Sequence, residues 1–519
     1  MASSRGSKLG LIGGLLGAAI GIGAAVLPQF FAGRMAPPKA PLAVRLDPAG
    51  PYVILATRRA TSDYAEATKA ARRLHPQAER LGFEPGALAE IGASLKAIRP
   101  RYALVFIEPD ELDVNFAWRW LETTSRLDDD PFVDVRTGFI TGASPEAAAA
   151  LIARTIDAVG GRLKLPGALV DDLGPPGPEL KDQKYFNTVG GSEFIPALGA
   201  RLSLRSLAHG IGCFTDDKLD SLKEAGVLHF GGHGHPDRID DGLTSDQVPG
   251  LKLAPCVVFN GACYTGVTAR WYDTIGSEVV EKGVAPRASF CLKMLGKDVL
   301  AYLAAVHPDH GMPVYQEMEH LAYRGGPLGD AIKGTYDGVV IGAGGKMPEF
   351  ERLEGGMKSP RWTPAEIMLK GTAARVLFGD PALVLGDAFA PAPFRTAVEE
   401  KGDELHVTAT VAKPGLKCTF TDSYHNDLNP QAPFNDRALL VIDLPSDWPA
   451  VGKVDVVGVK VGRQALPHRL VGYAVESDQG SRKLHVQVDV PATGFQTSAF
   501  RIVGATVELI ARRPGTGGR

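Results

Sequence analysis

The chain has 519 residues, 45% hydrophobic and 22% charged, with a net charge of −3. That is the balance of a globular protein with room for about three domains at roughly 150 residues each. The slight negative charge and an aromatic content of only 7% exclude the basic field and stacking platforms of a nucleic-acid binder, so no nucleic-acid partner is expected.

Residues 1–34 read as a signal peptide or a membrane anchor. Arg5 and Lys8 precede an uncharged run over 9–27, close to the ~20 residues that span a bilayer and longer than the ~7–15 of a usual signal core. Gly13, Gly17 and Gly21 recur every fourth residue, a spacing that lets membrane helices pack closely. On either reading the body is expected outside the cytoplasm: secreted, periplasmic or tethered to a membrane by this segment. Residues 35–51 are proline-rich and predict a linker.

From 52 to 165 strand-like and helix-like runs alternate. Strands are expected at 52–56, 102–107 and 133–141, and helices at 62–74, 87–98 and 145–159. A second α/β stretch covers 166–390. There a helix at 216–225 leads into a strand at 227–230, and a second strand follows at 256–259. Helices are then expected at 274–282, 314–323 and 328–334, with late strands at 339–341 and 375–385. Such alternation predicts βαβ units on a parallel sheet with helices on both faces. From 391 to 513 the pattern changes to short period-2 runs (405–411, 438–444, 454–461, 484–490 and 503–510), which predict an all-β sandwich of immunoglobulin-like type. Residues 514–519 form a tail.

The chemistry gathers at 226–266. Val227-Leu228-His229-Phe230 breaks at Gly231-Gly232-His233-Gly234-His235, and Pro255-Cys256-Val257-Val258-Phe259 breaks at Asn260-Gly261-Ala262-Cys263. Reactive side chains of open α/β sheets collect just past the carboxyl ends of the strands. If the two strands are parallel neighbours, His233 and Cys263 stand side by side there. A cysteine attacks a carbonyl as thiolate and needs a base nearby, a role a positioned histidine fills. Backbone N–H groups at a tight glycine turn can hold the developing oxyanion. The remaining cysteines, Cys213, Cys256, Cys291 and Cys418, are too scattered for a disulfide scaffold, and no CxxC pair suggests structural zinc.

The segments VLHFGGHGHP and CVVFNGACYTG resemble the two catalytic blocks of the caspase-like clan of cysteine peptidases. Two further segments, DDPFVDVRTGFITGASPEAAAALIAR and VLFGDPALVL, resemble blocks of the gingipain family within it. The four keep that family's order over residues 50–390, and a following immunoglobulin-like module also fits it. The resemblance implies a cysteine endopeptidase acting on a protein or peptide. Cys263 would be its nucleophile and His233 its general acid/base, with Gly234 and Cys263 giving the oxyanion N–H groups. It implies an acid that orients the histidine, for which Asp171, Asp172, Glu179 and Asp182 are all candidates. It places His307 and His310 in a loop that builds part of the substrate pocket, with His235 and Tyr264 nearby. It also implies a calcium ion, for which Asp128, Asp130 and Asp134 offer hard oxygen ligands; catalysis itself would need no cofactor. Phe139 stands where the family commonly has arginine and is expected to be structural.

Two other readings compete. His233, His235 and Asp237 match the start of the HxHxD zinc arrangement of metallo-hydrolases, although Arg238 stands where a further histidine belongs. Alternatively the pair survives in an inactive surface or adhesion protein whose sandwich binds a partner. Trp118 and Trp120 are expected to pack.

Overall fold

A computed structural model describes residues 39–171, 203–206, 222–239, 243–274, 276–309, 317–318, 326–386, 394–412, 420–421, 434–448, 450–478, 480–492, 500 and 502–515. The segment read as signal or anchor lies outside these. Among the described residues no helix is long and apolar enough to cross a membrane.

The strands of the first part are β1 (Lys39–Leu42), β2 (Val44–Leu46), β3 (Tyr52–Thr57), β4 (Glu79–Phe83), β5 (Tyr102–Phe106), β6 (Arg136–Ile140), β7 (Leu165–Asp171), β8 (Ser203–Ser206) and β9 (Val227–Phe230). The short β10 (Gly234–His235), β11 (Arg238–Ile239) and β12 (Leu243–Thr244) follow. Then come β13 (Cys256–Asn260), β14 (Arg270–Asp273), β15 (Val280–Gly283), β16 (Val299–Ala305), β17 (Arg375–Gly379) and β18 (Leu383–Leu385). Eleven of them form one sheet in the order β1-β7-β9-β13-β16-β17-β6-β5-β3-β4, with β8 also paired to β7. Neighbours β7, β9, β13 and β16 run parallel, as do β3, β4, β5 and β6, whereas β17 is antiparallel to β16. Both α/β stretches of the sequence therefore share one sheet, joined where Phe378 of β17 meets Phe139 of β6.

Every residue of β5, β6, β9, β13, β16 and β17 is buried. This is why β5, β9, β13 and β16 read as nearly unbroken apolar runs rather than as alternations. The helices start where the sequence supplies caps. Ser144 caps Pro145–Val159, with proline in its first turn, and Asp113 caps Val114–Thr124 by accepting from the Phe116 N–H at 2.9 Å. Trp118 and Trp120 on the latter helix are buried as expected, donating to the Lys370 carbonyl and the Thr137 hydroxyl.

Several expectations are corrected. Part of the proline-rich stretch is sheet: β1 pairs with β7 and β2 with β18. Of residues 274–282, expected helical, 280–282 belong to β15, which pairs with β14 and is exposed throughout, so polar content misled the period reading. Val339, Val340 and Ile341 belong to the helix Leu328–Gly342 rather than to a strand; they are its buried face, and tertiary packing overrides β-branched propensity. Of the helix expected over 216–225, only a 3-10 turn at Leu222–Glu224 falls within the described residues, and of 314–323 only 317–318.

The second part is a sandwich. One sheet orders β19 (Phe394–Lys401), β20 (Glu404–Val411), β27 (Thr506–Arg512), β23 (Lys453–Val461) and β24 (Gln464–Leu466). The other orders β21 (Phe420–Thr421), β22 (Phe434–Asp443), β26 (Ser481–Ala492) and β25 (Arg469–Asp478). Leu405, Val407, Leu440, Trp448, Val486 and Leu509 fill the space between them. The sandwich docks through β25 and β26 on the helix Leu328–Gly342. A side chain at Gly472 would come within 2.3 Å of the Ile341 carbonyl, so only glycine permits that approach.

Candidate active site

β9 and β13 are parallel neighbours, with Phe230 opposite Asn260 in register. His233 and Cys263 each lie three residues past those paired positions, so both leave the same edge of the sheet at the same height. Their loops interlock. Gly261 N–H donates to the Phe230 carbonyl at 2.7 Å, and a Cβ on Gly234 would fall 2.3 Å from the Cys263 carbonyl oxygen and 2.9 Å from Ala262 Cβ. Glycine at 234 is what lets the histidine loop rest on the cysteine backbone.

The turn bearing Cys263 is tightly held. Asn260 Oδ1 accepts from the Ala262 N–H (2.8 Å), while its amide donates to Tyr302 on β16 (2.9 Å), whose hydroxyl donates to the Thr265 carbonyl (3.0 Å). Thr265 in turn donates to the Ala262 carbonyl at 2.7 Å. Tyr264 adopts φ 61°, a left-handed conformation that costs a non-glycine residue about 1–2 kcal/mol and is maintained only where the surroundings fix it.

Three cysteines fall among the described residues. Cys256 and Cys291 are buried, and burial pushes both thiols up; Cys263 alone of the three is half-buried rather than enclosed. Its Sγ donates to Asp309 Oδ1 at 3.8 Å. Asp309 lies past the end of β16 and is buried. Its Oδ2 accepts from Arg375 Nη1 at 2.5 Å, and Glu317 takes the other side of the guanidinium at 2.5 and 2.7 Å. Both Arg375 and Glu317 are fully buried. Burial opposes the Arg375 charge, but Glu317 and Asp309 more than offset it and hold the group cationic. Burial pushes the Glu317 carboxyl up against the pull of Arg375.

His307 is also buried. Burial pushes it down to about 3, so it stays neutral, and its Nδ1 has no hydrogen-bond partner. It stands edge-on to Trp118, Trp362 and Tyr264 at ring separations of 5.4, 5.8 and 5.9 Å. Tyr264, itself buried, packs on Trp271 at 4.7 Å. These rings thus form one cluster that includes Tyr264, the residue after Cys263. His235 is half-buried on β10, opposite Arg238, and Asp237 pairs with Arg238 at 3.3 Å. Among the described residues the group whose donor atoms converge as metal ligands do is Asp337, Glu476 and His485, not His233, His235 and Asp237. Asp171 ends β7, with its backbone opposite His229 on β9. Asp172, Glu179, Asp182 and His310 lie outside the described residues.

Asp128, Asp130 and Asp134 share one turn, but Asp128 accepts from the Asp130 N–H, and Asp130 accepts from the Phe132 and Ser477 N–H groups. The turn as folded caps itself in part, and the charges of Asp128 and Asp130 crowd the Asp134 carboxyl. Phe139 is buried edge-on to Phe116, a structural place.

Sequence reasoning missed Arg375, Asp309 and Glu317. A signal existed: an arginine opening an otherwise apolar strand, in Arg375-Val376-Leu377-Phe378, is rarely buried without an acid partner.

Neither a known protein family nor a curated protein matches the chain. A solved structure described as "Structure of Protease" is similar over 89% of this chain and 97% of its own, at 10% identity and a TM-score of 0.36. A likeness that distant carries no argument, so the gingipain resemblance stands on its four sequence blocks alone.

Proposed function

We propose that this protein is a cysteine-type endopeptidase whose nucleophile is Cys263 and whose general acid/base is His233. The observation that carries the reading is the shared register: adjacent parallel strands end level, and each presents its reactive residue three positions further on. In the reaction the Cys263 thiol gives its proton to His233 as sulfur bonds to the peptide carbonyl carbon. His233 returns that proton to the amine as the C–N bond breaks, and water then hydrolyses the thioester. The N–H groups of Gly234 and Cys263 would hold the oxyanion. The orienting acid comes from Asp171, Asp172, Glu179 or Asp182. His235, half-buried on β10, would face the substrate side chain, with Tyr264 and His307 buried behind as support.

A zinc hydrolase at His233, His235 and Asp237 has less support, because Asp237 pairs with Arg238. Calcium at Asp128, Asp130 and Asp134 would be a structural ion, outside the chemistry. The expected setting is extracytoplasmic, with residues 1–34 as signal or tether. Digestion of a peptide library by the purified protein tests the reading and gives the specificity. Cleavage is expected to stop on thiol alkylation, to persist under zinc chelation, and to vanish in Cys263→Ala with unchanged melting. Undiminished cleavage by that variant would overturn it.

A further inference from the structure

The unassigned feature closest to Cys263 is the charge assembly behind it. A guanidinium buried between two carboxylates recovers little of its desolvation cost, so its retention asks for a geometric reason. Here the assembly has two ends. Besides holding Asp309, Arg375 Nη1 donates at 3.0 Å to the carbonyl of Asn260, the last residue of the strand that leads to Cys263. The other end is Asp309 Oδ1, which meets the sulfur. One cation thus fixes both the backbone that leads to the nucleophile and the acceptor of its S–H.

We propose that Asp309, held by Arg375 and Glu317, is a positioning residue for Cys263: it takes the S–H hydrogen bond, keeps the sulfur in one orientation and disfavours the thiolate until substrate and base are in place. The physical ground is that a carboxylate within 4 Å raises the cost of a second negative charge beside it. Asp309 and the neutral His307, which packs on Tyr264, come from the loop after β16. Arg375 comes from β17, Glu317 from 317–318, and His233 from the loop after β9, while Tyr264 and Asp273 lie on the cysteine's own side. Asp309 is in contact with Sγ at 3.8 Å. The catalytic meaning of the inference rests on Cys263 being the nucleophile; the contact chemistry does not.

The test is alkylation of the full-length protein by iodoacetamide, read at Cys263 by peptide mapping from about pH 5 to about pH 9. Asp309→Asn keeps an acceptor and removes the charge. It is expected to move the profile to lower pH and raise alkylation on its acid side about tenfold, one pH unit being a factor of ten. Peptide hydrolysis should lose kcat with KM unchanged, and Asp309→Glu should restore the profile. A folded Asp309→Asn variant with the wild-type profile would overturn the proposal. If that variant does not fold, Glu317→Gln leaves Asp309 in place and frees Arg375 to draw its charge away from the sulfur. A smaller shift in the same direction supports the proposal, and no shift overturns it. A shifted profile in a protein that cleaves no peptide would keep the positioning role and sink the peptidase reading instead.

Discussion

Two buried cations divide this molecule between them. Behind Cys263, Arg375 is gripped by Asp309 and Glu317. Between the α/β part and the sandwich, Lys333 of the helix Leu328–Gly342 is gripped by Asp337 (2.7 Å) and by Glu476 of β25 (2.5 Å). His485 of β26 adds a contact to Glu476 at 2.7 Å and rests on the Phe132 ring, over which Lys333 also sits. The components are alike and the uses differ. A planar guanidinium offers several donors in fixed directions, and here its acceptors include the Asn260 carbonyl, which leads to Cys263, and Asp309, which meets its sulfur, so it sets geometry. An ammonium is a point charge without directional demands; placed between carboxylates of two layers, it holds those layers together. Burial raises the cost of the Lys333 charge, but Asp337 and Glu476 more than offset it.

That contrast can be broken experimentally. The largest effect is expected from His233→Ala: kcat should fall by roughly 10²–10⁴, the usual worth of a positioned acid/base, with melting unchanged. A comparable loss of stability would show that the loop is structural. Lys333→Met should do the reverse. Leaving Asp337 without its cation and Glu476 with His485 alone costs about 3–5 kcal/mol, measurable by urea titration, with limited proteolysis releasing the sandwich and the alkylation profile of Cys263 unmoved. Acid should mimic it. Although burial alone would raise Glu476, Lys333 and His485 pull it well below the usual carboxylate range. Its contribution is thus present above the unfolded value of about 4.3 and lost as pH falls through the folded one.

The smallest effect sits beside this clamp. Asp134 is pushed up to about 8, by burial first and then by the charges of Asp128 and Asp130. A raised carboxyl costs nothing below its unfolded value, and its penalty grows as pH rises toward about 8. Asp134→Asn should therefore raise the melting temperature near about pH 8 and leave it unchanged near about pH 4. Equal shifts at both values would deny that charge crowding is the cause.

The strands that frame the site were legible because complete burial leaves an unmistakable apolar run, as at Val227 to Phe230 and at Val257 to Phe259. Their glycine breaks marked where chemistry could sit. The charge assemblies were not legible, because Arg375, Asp309 and Glu317 come from three separate places in the chain and only the sheet order brings them together. Local period also failed where burial was partial or mixed. The β14–β15 hairpin carries Trp271 and Tyr272 beside exposed residues, and Val339 to Ile341 look like a strand only until the helix that buries them is seen.

The strap formed by β1 has a bearing on how the chain can mature. Lys39 and Leu42 pair with Gly167 and Leu165 along the outer edge of β7, the strand that flanks β9 and ends at Asp171. Trimming that stops before Lys39 leaves this border covered. A cut a few residues later would bare a row of amides and carbonyls, the kind of open edge on which chains stick to one another. Any processing of the leading segment therefore has a natural downstream limit, set by hydrogen bonds rather than by the sequence at the cleavage point.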